Sequence, residues 1–336
     1  MNKIHLGIDA GNSKTVVLAC LASGEAVGAA RSGCGDIYGA VNEAEAVRTV
    51  LGAVDAALAD AGAARADVAS AAFRLAGIDW PEDRRYWDQT LSEVWPGLHR
   101  SLLNDGYAAI RCGEPSGVAV AVNAGTAAAI AARGPDGTTW DMGWWGQHAM
   151  GAIGLVSEAF KAVYLAHLGA APETALAPAL LEFYRVADLM DLNRLFTRRG
   201  HTAGTGERAK AARVVTRTAQ GGDPVAAQIV DEQGRRLAFY AQIAARQTGL
   251  DGAEGSAPVV PVVLSGSVLA DRDSPVAAAM IAHLPELLPR AEPRHTTLQP
   301  VAGAALDAIA EGGTAVDPEV SAALAATMPP PSFFRT

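Results

Sequence analysis

The stretch GIDAGNSKT, from Gly7 to Thr15, decides the fold because it ends in Lys-Thr after two glycines, as phosphate-binding loops do. A P-loop has four residues between its glycines, and its Lys-Ser or Lys-Thr directly follows the second glycine, where a helix begins. Here three residues separate Gly7 from Gly11, and Lys14 comes three positions after Gly11. The spacing therefore disfavours a P-loop.

The segments on either side predict a β-meander instead. IHLGIDA precedes the turn and TVVLACLAS follows it, and both are rich in the apolar and β-branched residues typical of strands. The next segment, ASGEAVGAARSG, adds a glycine-containing turn and a third short strand. We predict the order strand, tight turn, strand, turn, strand.

The same order recurs later in the chain, in VNAGTAAAIAARGPDGTTWDMG. Asp9 corresponds to Asn123 and Gly11 to Gly125, and GPDG supplies the second turn. Helical and strand patterns alternate after the first unit, as in EAEAVRTVLGAVDAALADAGA followed by DVASAAFRLAG. Long helical patterns follow the second unit, and the strand PVVPVVLSGS comes near the end. Internal repetition of this kind predicts an α/β protein with two duplicated lobes.

Composition sets the broad class of the protein. The 336 residues are 50% hydrophobic and 19% charged, which fits a two-domain globular enzyme. A net charge of -9 without a basic run disfavours nucleic acid and anionic membranes as partners. The first residues lack a signal-peptide core, and no apolar run reaches membrane-spanning length. Cys20, Cys34 and Cys112 indicate reduced thiols rather than a disulfide framework, so we expect a cytoplasmic protein.

Two facing glycine turns predict a cleft whose backbone N–H groups hold a polyphosphate from both sides. Asp9, at the end of the first strand, is our candidate for holding Mg²⁺ through water, and Lys14 for neutralising the transferred phosphate. A turn-forming aspartate and a solvated hairpin lysine are the structural alternatives for these two residues.

Asp105 is the candidate catalytic base. It is the last residue of HRSLLND, immediately after the apolar strand and before a helical pattern, and the carboxyl ends of strands are where α/β folds open their binding crevice. Phosphoryl transfer to a hydroxyl needs a carboxylate that orients the acceptor and takes its proton. The structural alternative is a helix N-cap, which is common for aspartate at such a position.

Two further motifs predict ligand contacts. VVLSGSVLAD is a strand that runs into a glycine turn, where close backbone approach allows packing against adenine and ribose. WDMGWWGQHAMG contains Trp140, Trp144 and Trp145, whose faces suit a sugar ring, although core tryptophans are the more common case.

Together these motifs resemble the N-acetylglucosamine kinases of the BadF/BadG/BcrA/BcrD ATPase family, in the actin, hexokinase and heat-shock-chaperone superfamily. The resemblance extends from Gly7 to about Ile309. It implies two ribonuclease-H-like lobes, of the actin-like ATPase type, around a nucleotide cleft, with ATP and Mg²⁺ as cofactors and a homodimer as the assembly. We expect residues 1–115 to form the first lobe, 116–328 the second, with the last helix packing back on the first, and 329–336 a weakly ordered tail.

The resemblance also assigns residues. VAGAALDA joins VVLSGSVLAD in the adenosine region, and the nucleotide contacts fall on Gly11, Asn12, Ser13, Lys14, Thr15, Gly125, Thr126, Gly222, Gly266 and Ser267. The acceptor contacts fall on Asp36, Asp105, Trp145, Gly146 and Gln147, and the metal contact on Asp9.

The chain departs from the family pattern at the acceptor side. Ala127–Ala129 stand where the family has Gly-Ser-Asn, and the family's Asn touches the substrate. Ala152 and Ile153 replace the Asp-Glu of a Gly-Asp-Glu-Gly motif. Asp36 stands where the family has Asn, which favours a free amine or additional hydroxyls on the acceptor.

Three functions are compatible with these patterns. The first is an ATP- and Mg²⁺-dependent kinase that phosphorylates a hydroxyl of an amino sugar, sugar or related polyol. The second is an activating ATPase of a reductase or dehydratase, which would need iron-sulfur thiolates, and no cysteine lies in or just before VAVNAGT. The third is a sensor of nucleotide or sugar that has lost catalysis.

Overall fold

The computed structural model describes residues 3–200, 204–252, 259–296 and 298–334. The strands are β1 (Ile4–Ala10), β2 (Thr15–Cys20), β3 (Ala26–Ser32), β4 (Val68–Leu75), β5 (Arg100–Leu103), β6 (Ala119–Ala124), β7 (Ala128–Arg133), β8 (Thr139–Asp141), β9 (Val260–Ser265) and β10 (Ala291–His295). The helices are α1 (Glu43–Asp60), α2 (Pro81–Val94), α3 (Ile110–Gly113), α4 (Ala152–His167), α5 (Leu176–Tyr184), α6 (Leu189–Thr197), α7 (Thr205–Ala209), α8 (Ala212–Gln220), α9 (Pro224–Gln247), α10 (Pro275–Leu287), α11 (Pro300–Glu311) and α12 (Pro318–Thr327).

The strands form two five-stranded sheets with the same topology. The first has the order β3-β2-β1-β4-β5, and the second, in the same direction, has the order β8-β7-β6-β9-β10. In each sheet the opening three strands are antiparallel and the last two pair in parallel. The predicted α/β fold with duplicated lobes is confirmed.

Strand β1 separates two packing environments. Ile4, Leu6 and Ile8 point into the core beneath α1, whereas Gly7 lies on the opposite face, under α11. A Cβ atom at Gly7 would lie 2.3 Å from the backbone nitrogen of Ala305, so only glycine lets α11 lie directly on the strand. Asp9 follows on this same face, because side chains alternate along a strand.

The carboxyl-terminal elements pack against the first sheet. Helix α11 contacts β1 and β4, and α12 contacts β3. Phe334 is buried in an apolar cluster with Val16 and Leu18 of β2. The sequence predicts a weakly ordered tail because MPPPSFFRT is rich in proline, but the two phenylalanines fix residues 331–334 on the sheet. The boundaries of the two lobes stay a prediction.

Several elements differ from the sequence-based expectation. The helical part of the second lobe includes the short helices α6, α7 and α8 beside the long ones, and β10 has no counterpart among the predicted strands. Strand β10 is an edge strand with Pro293 at its centre, and the two-residue alternation that reveals most strands is weak at such edges. Among the residues that the structure describes, no helix has both the length and the apolar character needed to cross a lipid bilayer.

Candidate active site

The two glycine turns are built in the same way at the carboxyl ends of β1 and β6. The Gly11 N–H donates to the Lys14 carbonyl at 2.8 Å, and the Gly125 N–H donates to the Ala127 carbonyl at 3.0 Å. The chain that follows the neighbouring parallel strand closes over each turn. Ala76 donates its N–H to Ala10 in the first lobe, at 2.8 Å. Val268 donates its N–H to Ala124 in the second, at 2.9 Å.

Both turns present open backbone. A Cβ atom added at Gly11 would meet only the Lys14 carbonyl, at 3.6 Å, and one added at Gly125 would meet nothing within 4 Å. Gly266, in contrast, has a φ of 83° and would place a Cβ 2.4 Å from the Ala124 carbonyl. The glycines of the turns therefore leave room for a ligand, while Gly266 is required by close backbone packing.

The predicted nucleotide residues of the first turn occupy different environments. Ser13 is exposed, and the Asn12 side chain lies against Gly39 in the GCGDIYG loop. Thr15 is fully buried, and its Oγ1 lies under Gly35 without a hydrogen-bond partner in the described chain. Strand alternation turns the Thr15 side chain into the core, and the predicted contact of Thr15 with nucleotide stays a prediction.

Asp9 and Lys14 lie close enough in the first lobe for their charges to interact. Burial raises the pKa of Asp9 to about 7, and the nearby Lys14 ammonium opposes that shift. Burial also lowers the pKa of Lys14, and the Asp9 charge opposes the change. The Lys14 Nζ donates a hydrogen bond to the main-chain carbonyl of Phe334. Both groups are half-buried, where a ligand charge acts strongly on them.

Asp105 lies where the two lobes meet. It opens the short 3-10 turn Asp105–Ala109, which contacts β6 and β7 of the second sheet. A Cβ atom at Gly106 would lie 3.4 Å from the Cβ atoms of Ala129 and Ala131. The N-cap of this turn is Asn104, whose Oδ1 accepts the Gly106 N–H at 2.9 Å. The helix-cap alternative for Asp105 is therefore wrong.

The Asp105 carboxylate is electrostatically strained. Burial raises its pKa to about 7, with further contributions from the negative charges of Asp9, Asp79 and Asp36. No ion pair to Asp105 occurs among the described residues. The structure thus brings Asp9, Asp36 and Asp105 to one cleft, with a half-buried carboxylate available at its centre.

Sequence reasoning missed further acidic residues of this cleft. Burial and the charges of Asp141, Asp83 and Asp36 raise the pKa of Asp79 to about 6. Asn104 donates its Nδ2 to Asp79 Oδ1 at 3.0 Å. Asp79 comes a few residues after a buried strand, as does Asp105, so the rule that selected Asp105 applies to Asp79 as well.

The tryptophan loop borders the same cleft. Trp144 lies against the Asp79 carboxylate and opposes the rise in its pKa. Trp144 and Trp145 are 63% and 72% exposed, which is unusual for tryptophan. Trp140, in contrast, packs against the hydrophobic core of the second lobe. The loop is held by Gln147, whose N–H donates to the Tyr240 hydroxyl at 2.8 Å. Gly146 packs against Met142.

The second turn is closed by helix α4. The N–H groups of Ala152 and Ile153, at the start of α4, donate to the carbonyls of Gly125 and Thr126 at 2.9 Å each. Ala152 is buried, and Ile153 packs on the hydrophobic core of the second lobe. These are the two positions at which the family has carboxylates. This departure therefore removes charge from the acceptor side and keeps the backbone frame.

Two predicted nucleotide segments lie apart from the turns. Residues 301–308, VAGAALDA, are all buried and pack on β1 and on the Asp105–Ala109 turn, so their assignment to the adenosine region is wrong. Gly222, with a φ of 92°, donates its N–H to Ala219 and precedes α9, and within the described residues it makes no backbone hydrogen bond to either glycine turn. Ser267 is exposed beside Gly266.

A buried ionic cluster joins the lobes behind the cleft. Asp307 of α11 accepts hydrogen bonds from Arg74 of β4 at 2.6 Å, from Arg111 of α3 at 2.7 Å and from Arg133 of β7 at 3.0 Å. The three guanidinium groups outweigh burial and hold the pKa of Asp307 well below its usual range. Arg74 and Arg133 come from different sheets, so one carboxylate links the two lobes.

The residues near Asp9 fit a Mg²⁺ ion that is coordinated mainly by water and substrate phosphates. Within the described ranges, no three His, Cys, Asp or Glu side chains are placed to hold a metal ion together. Mg²⁺ is commonly held by one or two carboxylates, waters and substrate phosphates, and this arrangement requires only Asp9 from the protein.

The chain was compared with known proteins. No curated protein matches it. A protein of Chromobacterium violaceum assigned as an N-acetylglucosamine kinase is 22% identical, with a TM-score of 0.67 and coverage of 92% of this chain and 99% of that one. A ROK family glucokinase from Streptomyces griseus, in complex with glucose and AMPPNP, is 16% identical, with a TM-score of 0.55 and coverage of 91% and 98%.

A protein of Porphyromonas gingivalis, also assigned as an N-acetylglucosamine kinase, is 14% identical, with a TM-score of 0.55 and coverage of 89% and 96%. These similarities show the two-lobe fold. The model of the BadF/BadG/BcrA/BcrD ATPase family matches residues 6–308, and membership of an ATPase family implies ATP as the nucleotide. The chain belongs to the BadF/BadG/BcrA/BcrD ATPase family.

Proposed function

We propose that the protein is an ATP- and Mg²⁺-dependent kinase that transfers the γ-phosphoryl group to a hydroxyl of an amino sugar or sugar. The observation that carries this proposal is the position of Asp105. It is a carboxylate without an ion pair in the described chain, at the meeting point of two lobes with open glycine turns, and burial raises its pKa to about 7. A general base is most effective when its pKa lies near the working pH.

In the proposed reaction, Asp105 accepts the proton of the acceptor hydroxyl as the hydroxyl oxygen bonds to the γ-phosphorus. The bond between that phosphorus and the bridging oxygen of ADP breaks. Phosphoryl transfer requires positioning and charge neutralisation more than covalent chemistry by the protein. Contact between Asp105–Ala109 and β6 and β7 makes the site dependent on both lobes.

The phosphate groups would lie between the N–H groups of the two turns, at Gly11, Asn12 and Ser13 on one side and at Gly125 and Thr126 on the other. Lys14 would neutralise phosphate charge, and Asp9 would hold Mg²⁺ through water. The metal ion supplies charge neutralisation at the phosphates when it is bound. Gly222, Gly266 and Ser267 remain the proposed contacts of the nucleoside.

The acidic residues proposed to line the acceptor pocket favour an amino sugar with a free amine as the acceptor. Asp36 is 8% exposed, and its Oδ1 accepts a hydrogen bond from the Tyr38 N–H at 2.9 Å. Its charge raises the pKa values of Asp79 and Asp105, so a protonated amine placed among these carboxylates would relieve their repulsion. Exposed Trp145, with Gly146 and Gln147, would form the wall against the sugar ring.

The decisive experiment is a panel of sugars, amino sugars, cyclitols and nucleosides with ATP and Mg²⁺, in which transfer to each acceptor is measured. We expect phosphorylation of an amino sugar by the wild type and its loss in Asp105→Asn. Asp188→Asn is the matched control, because Asp188 caps α6 and is expected to leave activity unchanged. Equal activity of Asp105→Asn and wild type would remove Asp105 from the mechanism.

A separate comparison tests the free amine. We expect Asp36→Asn to lower turnover of glucosamine relative to N-acetylglucosamine, because the amide cannot pair with an ammonium group. Equal turnover of both acceptors by Asp36→Asn and wild type would contradict the role of Asp36.

The replacements at Ala127–Ala129, Ala152 and Ile153 favour one alternative, a sensor that binds nucleotide or sugar without transferring phosphate. Phosphorylation of any small acceptor that depends on Asp105 would exclude it. An activating ATPase would carry an iron-sulfur cluster, so an iron-free purified protein would exclude that function. A homodimer remains our expectation for the assembly, and sedimentation velocity would test it.

A further inference from the structure

The carboxyl-terminal residues reach the hairpin that carries the first glycine turn. The main-chain carbonyl of Phe334 accepts a hydrogen bond from Lys14 Nζ. The neighbouring carbonyl of Phe333 accepts one from Arg31 Nη1 at 3.3 Å. Residues separated by almost the whole chain thus contact each other beside the candidate phosphate site.

The contact is held by an apolar anchor. The Phe334 side chain is 6% exposed and packs with Val16 and Leu18, which lie on the same face of β2 as Lys14. The Phe333 ring packs edge-on against Phe334, with 5.2 Å between the ring centroids. Three prolines, Pro329–Pro331, restrict the chain that leads to this anchor. The Phe334 carbonyl is therefore a fixed acceptor.

A fixed acceptor matters for Lys14 because a lysine side chain has many rotamers and a strongly hydrated head group. Lys14 lies near Asp9 and is half-buried. Without the carbonyl, its ammonium group would be free to turn to the Asp9 carboxylate. With one N–H bound to Phe334, two N–H groups remain for a phosphate, and their direction is set.

We propose that Pro331–Phe334 is a positioning segment of the phosphate site, which acts through Lys14. The segment touches no reacting atom. It holds the lysine head group in place before the nucleotide arrives, so that less side-chain entropy is lost on binding. This inference rests on the proposed function, because it takes the phosphate of ATP as the ligand of Lys14.

The test is calorimetric binding of AMPPNP with Mg²⁺ to the 336-residue chain, to Phe334→Ala, and to a chain that stops after Pro330. We expect about tenfold weaker binding in both variants, the size of one lost hydrogen bond to a charged group. Met328→Ala is the control, because Met328 packs on the same cluster and makes no hydrogen bond to Lys14 among the described residues. It should change affinity less than about twofold.

A double-mutant cycle separates positioning from general stability. In a Lys14→Met background, Phe334→Ala should change AMPPNP affinity less than about twofold, because the group that the segment positions is absent. Phe334→Leu keeps an apolar anchor and should restore most of the wild-type affinity. Thermal unfolding of each variant identifies any that fails to fold. If Phe334→Ala fails to fold, Phe334→Leu replaces it in the comparison.

Unchanged or tighter AMPPNP binding after truncation would overturn the inference, since tighter binding would mean that the segment inhibits. An equal loss in the Lys14→Met background would also overturn it. If the wild type itself does not bind AMPPNP, the proposed function fails and this inference fails with it.

Discussion

The first and second glycine turns have the same backbone frame and opposite side-chain chemistry. Each connects two antiparallel strands, and each is closed by an N–H from the segment after the neighbouring parallel strand. The first has Asp9 before it and Lys14 within it, whereas the second has Asn123 and Ala127. The second turn is also shorter, because Ala124 pairs with Ala128 whereas Ala10 pairs with Thr15.

This difference indicates which part of a duplicated site needs charge. Backbone N–H groups are sufficient to bind phosphate oxygens, so a turn without charged side chains is still able to act as half of a cleft. A metal ion and a transferred phosphoryl group need formal charges, and one set is enough. The charged residues of the candidate site, Asp105 included, are therefore concentrated in the first lobe.

The largest effect that we expect is an asymmetry between the counterparts Asp9 and Asn123. Asp9→Asn should lower kcat/KM for phosphate transfer about 10³-fold, because the carboxylate that would hold Mg²⁺ is lost. Asn123→Ala should lower it at most about tenfold, since only a neutral group is removed. Steady-state kinetics at saturating Mg²⁺ measure both. Equal losses would mean that the two turns share the metal.

The next largest effect concerns the contact that joins the two sheets. Asp307→Asn should reduce the free energy of unfolding by about 3 kcal/mol, because three buried guanidinium groups lose their common partner. Asp55→Asn is the control, since its pair with Arg65 is exposed and contributes at most about 1 kcal/mol. Urea denaturation measures the free energy of unfolding of both variants. A loss no larger than that of the control would contradict the role of Asp307.

Gly11→Ala and Gly125→Ala should have similar effects if both turns bind phosphate through backbone. Neither glycine has a positive φ, so alanine fits the backbone, and the added methyl group enters open space. We expect each variant to fold normally and to bind AMPPNP about tenfold more weakly, because the methyl group occupies the ligand side. Gly52→Ala, in an exposed position of α1, is the control. Loss in Gly11→Ala alone would show that the second turn does not take part.

A pH profile tests the charge state of the cleft. The pKa of Asp105 is raised to about 7, so the base carries its proton below that pH and is free above it. We expect kcat/KM to fall by about tenfold for each pH unit below 7. Phosphate transfer measured from pH 5 to pH 9 should show a shallower acidic limb in Asp105→Asn, in whatever activity remains, because Asp9, whose pKa is also raised to about 7, still titrates. A flat wild-type profile would be incompatible with Asp105 as the base.

The smallest effect should come from restoring polarity to the second lobe. Ala129 lies beside Gly106, next to the candidate base, and Ala129→Asn adds a side chain that donates and accepts hydrogen bonds there. We expect the ratio of kcat/KM for N-acetylglucosamine to that for glucosamine to rise about threefold to tenfold, the size of one added hydrogen bond. Competition between the two sugars measures the ratio. An unchanged ratio would mean that this position does not contact the acceptor.

The sequence by itself determined the strand pattern, the repeated hairpin and the family. These features follow from residue preference and from the period of apolar residues, which act over a few positions of the chain. Asp105 was proposed as the base for the same reason, because its place after a strand is a local property. The same rule applied to Asp79 would have identified a second carboxylate of the cleft.

Only the tertiary structure decided which distant residues share the cleft. It placed Lys14 on the carbonyl of Phe334, three arginines on Asp307, and VAGAALDA on β1 instead of beside a nucleotide. Such contacts join segments that are far apart in the chain, and no local preference of either segment encodes the partner. Their position follows from how the two sheets and α11 pack, because packing selects among the arrangements that each local pattern allows.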